Sequence, residues 1–124
     1  MNIDRRINMY KSKYLSKKTI LNGIKFDSIK ESNRYSVLKT LEKSGRIKDL
    51  QLQKKFRLQD GFKKGNKTYR PIDYICDFYY FDTKENKYIV EDVKSKFTEK
   101  DKVFNIKRKL FEYKYKDLKI SIIK

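Results

Sequence analysis

The run YICDFYYFDTKENKYIVEDVK, from Tyr74 to Lys94, places the tightest limits on what this chain can fold into. Two apolar stretches, Tyr74–Phe81 and Tyr88–Val93, flank the polar segment Asp82–Lys87. Both are rich in Tyr, Ile, Val and Phe, which predicts the two strands of a hairpin with a longer loop. Each strand carries acid inside its apolar part: Asp77 in the first, Glu91 and Asp92 in the second. Symmetric closure about the loop pairs Phe81 with Tyr88, Tyr79 with Val90, and Asp77 with Asp92. Alternate side chains share a face, so Lys94 joins Asp77 and Asp92 while Glu91 points away. A register slip of one residue would exchange Glu91 with Asp92. Directly opposed side chains stand about 4.5–5.5 Å apart at Cβ, where like charges repel. A cation between the carboxylates removes that repulsion, so the hairpin predicts a site as well as a sheet.

Charge bears on what such a site would meet. The 124 residues include 33 Lys and Arg against 16 Asp and Glu, a formal net charge of +17. Solubility alone is usually reached at a net charge of about 2–8. The excess therefore points to a polyanion, most simply nucleic acid, whose neutralised phosphates release counterions; the plainer alternative is lysines that only keep a small protein in solution. The chain has no His, which removes imidazole catalysis and ordinary zinc sites. Its one cysteine, Cys76, excludes an internal disulfide and fits a reducing compartment. With no imidazole to activate it, Cys76 reads as core filler rather than nucleophile. No stretch approaches the roughly 20 apolar residues of a membrane span, and no apolar signal core opens the chain. The expectation is a cytoplasmic protein with no membrane partner.

The length predicts a basic N-terminal arm, residues 1–17, followed by a single domain over 18–124. The arm either touches phosphate or is a solvated tail. Thr19–Leu21 and Ile24–Phe26 flank Asn22-Gly23, the strongest short hairpin signal. Ser28-Ile29-Lys30-Glu31 fits a capping box, and Glu31, Tyr35, Leu38 and Leu41 form one helical stripe that stops at Gly45. Locally, Glu31 is a cap residue at the end of the inward face. Ile47–Leu58 alternates as a strand bent near Lys54-Lys55, Gly61–Asn66 makes a turn, and Pro71 favours a strand edge. Thr98-Glu99-Lys100-Asp101 caps a second helix that turns Val103, Ile106, Leu110 and Phe111 inward. Lys119–Ile123 is a last strand. The order is that of an α/β domain, helices against a mixed sheet.

Two carboxylates and a lysine at strand ends suit Mg²⁺ or Mn²⁺, which take hard oxygen ligands and keep several waters. Such an ion can sharpen a water into a nucleophile and offset charge on a phosphate, while Lys94 stabilises the transition state. A structural ion pair is the alternative, since acid-x-Lys is common in a chain with 40% charged residues. The assembly is more specific than the motif. A helix bearing an acid, a strand with Asp, a strand ending in acid-x-Lys, and a basic helix together resemble the PD-(D/E)XK nuclease superfamily. The runs GIKFDSIKESNRY, LEKSGRIKDLQLQKKFRL, YICDFYYFD and YIVEDVKSK resemble, more closely, a small phage-associated family of endonuclease-like proteins.

The resemblance covers about Lys17 to the C-terminus and implies a restriction-endonuclease-like core, αβββαβ, preceded by a β-hairpin. It implies that Asp77 and Asp92 bind the metal, that Lys94 is the lysine of the motif, and that Glu31 helps hold a second metal or its water. Gln53 matches a glutamine that lines the site. No proline precedes Asp77, where Cys76 stands instead. Nucleic-acid contacts are expected from Arg5, Arg6, Lys17 and Lys18 in or beside the arm, from Lys96, and from Lys107, Arg108 and Lys114 on the second helix. The implied activity is a Mg²⁺- or Mn²⁺-dependent endodeoxyribonuclease, phage or mobile-element encoded, acting in DNA recombination, replication or processing, with branched DNA as substrate. Cutting two strands with one small domain implies a homodimer. A catalytically silent DNA- or RNA-binding module on the same fold is the second reading. A ribosome-associated RNA-binding protein is the third, and it leaves the opposed acids unexplained.

Overall fold

The computed structural model describes residues 19–94 and 101–124. The chain divides into two compact units, one ending at Ser44 and the other spanning Gly45–Lys124. In the first, β1 (Thr19–Leu21) and β2 (Ile24–Phe26) pair antiparallel. Asn22 and Gly23 both adopt positive φ, 53° and 78°, as a two-residue type I′ turn requires. Helix α1 (Ile29–Lys43) begins at Ser28, whose Oγ accepts the Glu31 N–H at 3.0 Å; this satisfies one of the donors a helix start leaves open. The helix buries Glu31, Ser32, Tyr35 and Leu38, and the Tyr35 ring lies 5.1 Å from that of Phe26.

The second unit holds a mixed four-strand sheet. Strands β3 (Ile47–Leu52), β8 (Phe78–Asp82) and β9 (Lys87–Val93) run antiparallel in that spatial order, and β10 (Ile120–Ile123) lies parallel beside β9. Between β3 and β8 the chain makes β4 (Lys55–Gln59), β5 (Phe62–Lys64), β6 (Lys67–Tyr69) and β7 (Ile72–Ile75). β4 pairs with β7, and β5 with β6. Helix α2 (Lys102–Lys114) follows β9, capped by Asp101, whose side chain accepts the N–H groups of Val103 and Phe104. With the small hairpins set aside, the order is α1, β3, β8, β9, α2, β10: a mixed α/β arrangement.

The central hairpin has the expected register, Phe81 opposite Tyr88 and Tyr79 opposite Val90. The bend expected near Lys54-Lys55 is a full break between two strands, and the single strand expected over Tyr74–Phe81 is broken in two as well. The run from Ile47 bends at Gln53-Lys54, where Gln53 has φ 55°, and the run from Tyr74 breaks at Cys76-Asp77. The breaks face each other and are bonded across: Gln53 N–H donates to the Asp77 carbonyl at 3.1 Å, and Cys76 N–H to the Lys54 carbonyl at 3.0 Å. The turn expected over Gly61–Asn66 is the first strand and turn of the β5–β6 hairpin.

Phe56, Tyr74, Cys76, Val90, Phe104, Phe111 and Ile120 form the core of this unit. The Phe111 ring stands 5.0 Å from Phe56 and 5.4 Å from Tyr74, and full burial of one such ring contributes about 1.5–3 kcal/mol. The inward stripe of α2 therefore differs from the one read in the sequence. Phe104 and Phe111 face the sheet, whereas Val103, Ile106 and Leu110 are exposed. The i, i+7 aromatic pair carries the larger apolar area, and its pull sets the helix rotation.

Asp82, the last residue of β8, is buried and organises the loop that follows, its Oδ1 accepting the Lys84 and Glu85 N–H groups at 2.9 and 3.0 Å. The Glu85 amide above all, then that of Lys84 and the nearby Arg46, hold its carboxyl below the ordinary value of 3.8. A lowered pKa gives stability that is present above the unfolded value and lost as pH falls through the folded one. Asp82→Ala should thus cost about 1 kcal/mol at neutral pH, about 4–8 °C in Tm. Melts repeated at falling pH should show the gap between wild type and variant closing. Among the described residues no helix is long and apolar enough to cross a membrane.

Candidate active site

The end of β9 and the break before β8 bring Asp77, Asp92 and Lys94 into one neighbourhood of the second unit. The expected Asp77–Asp92 ladder pair does not form, because the ladder stops one step earlier at Phe78–Glu91. There the chain turns, and Asp77 N–H donates to the Glu91 carbonyl at 3.0 Å. The half-buried Asp77 carboxylate accepts the Val93 N–H at 2.7 Å through Oδ2, while Gln53 Nε2 stands 3.5 Å from Oδ1. The carboxylate is thus held at the two broken strands by backbone geometry on one side and by β9 on the other.

Asp92 is buried, with 6% of its surface exposed. Its Oδ2 accepts the Tyr74 hydroxyl at 2.6 Å, and its Oδ1 lies 3.1 Å from Lys94 Nζ. The Lys94 ammonium also sits 3.7 Å from the centre of the Phe104 ring, a cation–π contact from α2. Its backbone N–H donates to the Ile123 carbonyl, which fixes it against β10. Glu91 faces the other side of the sheet, as alternation requires, and accepts the Tyr80 hydroxyl. Burial, then the Asp92 charge, pushes the Tyr74 phenol far above its ordinary range. Burial pushes the Cys76 thiol up to about 12, so Cys76 is a protonated core residue and no nucleophile.

Lys94, Phe104, Asn105, Arg108, Ile122 and Lys124 line a cavity of about 140 Å³ beside this cluster. Three of its walls are cationic and none is acidic, a composition suited to phosphate. Arg108 is oriented by Glu112, 3.4 Å from its Nε. Of the other expected nucleic-acid contacts, Lys107 is half-buried on α2 and Lys114 donates to the Arg57 carbonyl at 2.8 Å. Arg5, Arg6, Lys17, Lys18 and Lys96 lie outside the described residues. Glu31 belongs to the first unit, where it sits in the first turn of α1 with its N–H on Ser28.

Tyr74 and Phe104 are the members of the cluster that sequence reasoning missed. Read as one strand, Tyr74–Phe81 puts Tyr74 and Asp77 on opposite faces; the break at Cys76-Asp77 removes that parity. Phe104 was hidden because Val103 and Ile106 fit the apolar stripe equally well.

Asp77 and Asp92 present carboxylate oxygens, the ligand type that a hard divalent cation takes; in this structure they meet Val93 and Gln53, and Tyr74 and Lys94, respectively. Among the described residues no group of three or more His, Cys, Asp or Glu is assembled as a metal site, and Mg²⁺ commonly uses one or two carboxylates with water. Compared with known proteins, residues 11–124 match the model of a family described as "Protein of unknown function (DUF1064)". No curated protein matches the chain, and no solved structure does.

Proposed function

The chain belongs to this family of unknown function over residues 11–124, and from that premise we propose that it is a Mg²⁺- or Mn²⁺-dependent endodeoxyribonuclease. The carrying observation is the Asp92–Lys94 pair at the C-terminal end of β9, beside the Asp77 carboxylate that accepts the Val93 N–H. The proposal includes a restriction-endonuclease-like, PD-(D/E)XK type of core; the order α1, β3, β8, β9, α2, β10 with β10 parallel to β9 supports it. DNA as partner is supported by the net charge of +17 and by the cationic cavity beside Lys94. Cleavage of both strands would engage a homodimer.

Asp77 and Asp92 would hold the ion, which supplies activation of water and electrostatic relief at the phosphate. Tyr74 holds the Asp92 carboxylate in place by its hydroxyl, and Phe104 keeps the Lys94 ammonium over its ring. Lys94 would then meet the charge that develops on the phosphate, a role in which one preorganised donor is worth about 10²–10³ in rate. Gln53, beside Asp77, would orient water or substrate. Glu31 enters only as the acid that the resemblance assigns to the first helix.

The Asp92 contacts also favour a second reading, a nucleic-acid-binding module without catalysis. A carboxylate already satisfied by Tyr74 and Lys94 is a complete buried ion pair. Incubation with supercoiled, linear and four-way-junction DNA, in Mg²⁺, Mn²⁺ or EDTA, separates the two. Metal-dependent nicking that EDTA stops is the expected result; binding without cleavage under every condition favours the second.

A further inference from the structure

The β5–β6 hairpin contributes no residue to the buried core of the second unit, and its own surface combines exposed rings with ammonium groups. Every residue from Gln59 to Pro71 is exposed. Phe62 lies opposite Tyr69 and Lys64 opposite Lys67, so one face of the ribbon shows two rings followed by two ammonium groups. The rings stack on each other at 4.6 Å and 13°, and remain 43% and 38% exposed. The opposed lysines repel, and within the hairpin Lys67 Nζ lies 4.9 Å from the centre of the Tyr69 ring, which holds that ammonium beside the aromatic pair. No acid lies between Asp60 and Asp73. Those two flanking carboxylates bind Arg57 at 3.0 and 2.6 Å, at the base of the hairpin.

The neck is close-packed: a Cβ on Gly61 would lie 3.0 Å from the Tyr69 carbonyl and 3.1 Å from Pro71 Cδ. Aromatic platform and cation pair are therefore presented on a preformed support, which reduces the ordering cost of binding.

We propose that the Phe62–Tyr69 hairpin is a contact surface for a DNA strand with unpaired bases, Lys64 and Lys67 taking a phosphate and the ring pair taking a base face. The charge calls for a polyanion, and the exposed rings narrow it, because base faces are open for stacking only where the duplex is interrupted. The choice of DNA rests on the nuclease reading above; the hairpin adds the class of substrate, single-stranded or branched.

The test is fluorescence anisotropy in EDTA with a labelled oligothymidylate and a duplex of equal length, over a range of salt. Phe62→Ala should weaken single-strand binding about fivefold to a hundredfold, with duplex affinity within about twofold. Lys64→Gln/Lys67→Gln, which keeps both rings, should lower the single-strand salt slope by about 0.7, the contribution of the one phosphate that the two lysines share. Both variants should melt with wild type, since neither touches the core. Wild-type binding matched by both variants overturns the hairpin assignment alone, as does an equal loss on the two probes for Phe62→Ala. Wild type that binds neither probe overturns DNA as the partner, and the assignment with it.

Discussion

Asp77→Asn should give a folded protein that cleaves no DNA in Mg²⁺ or Mn²⁺ and still binds DNA in EDTA. The amide oxygen of asparagine can keep the Val93 N–H that Asp77 now accepts, so the metal-free melt should stay within about 1 kcal/mol of wild type. Lys94→Ala should behave differently. It leaves the buried Asp92 carboxylate with Tyr74 but without its ion-pair partner, and breaking such a pair costs about 3–5 kcal/mol. Cleavage should fall about 10²–10³-fold. Added Mn²⁺ should raise the Tm of Lys94→Ala by more than it raises wild type, because the ion replaces the missing positive charge and stabilises the folded state by mass action. Thermal melts with and without Mn²⁺ decide the matter. If the metal shifts neither wild type nor Lys94→Ala, Asp92 and Lys94 are a structural pair and the site assignment fails.

The second large effect belongs to alkaline pH. Cys76 has no exposed surface, and its folded pKa of about 12 exceeds its ordinary value of 9.0. A raised pKa means that the folded state holds its proton longer than the unfolded one. Stability is therefore full below pH 9 and falls as pH climbs from 9 toward 12, by about 4 kcal/mol for this thiol alone. Tyr74 and Tyr79, both raised first by burial, add to the same limb. Urea midpoints at pH 8, 9, 10 and 11 should show a steep decline, and Cys76→Ala should flatten it while lowering the neutral-pH midpoint slightly. Parallel curves for the two proteins would mean that the thiol titrates freely in the native state.

How much of this was legible depended on which forces are local. The Asn22-Gly23 turn, the Ser28 cap and the Phe81–Tyr88 register follow from neighbours in sequence, and the structure has each of them. The breaks at Gln53-Lys54 and Cys76-Asp77 do not, since each bend is held by hydrogen bonds to the other. Only the first of them left a mark, the change of alternation near Lys54-Lys55. The face of α2 was misjudged for a similar reason: its rotation is settled by Phe56 and Tyr74, whose rings meet Phe111 from strands distant in sequence. At the candidate site, Asp92 and Lys94 were legible from period-two alternation. Tyr74 was not, because its position follows from the break.

The bend that presents Asp77 is held by main-chain groups: Gln53 N–H to Asp77, Cys76 N–H to Lys54, Asp77 N–H to Glu91. Such bonds are blind to side-chain identity. The scaffold and the reactive groups it carries are in that sense separately inherited, and evolution can rewrite one while leaving the other in place. On the proposed nuclease reading, a lineage could exchange Asp77 for a neutral residue and keep the bend, losing catalysis without refolding. Position 53 is the exception, since its φ of 55° disfavours β-branched replacements.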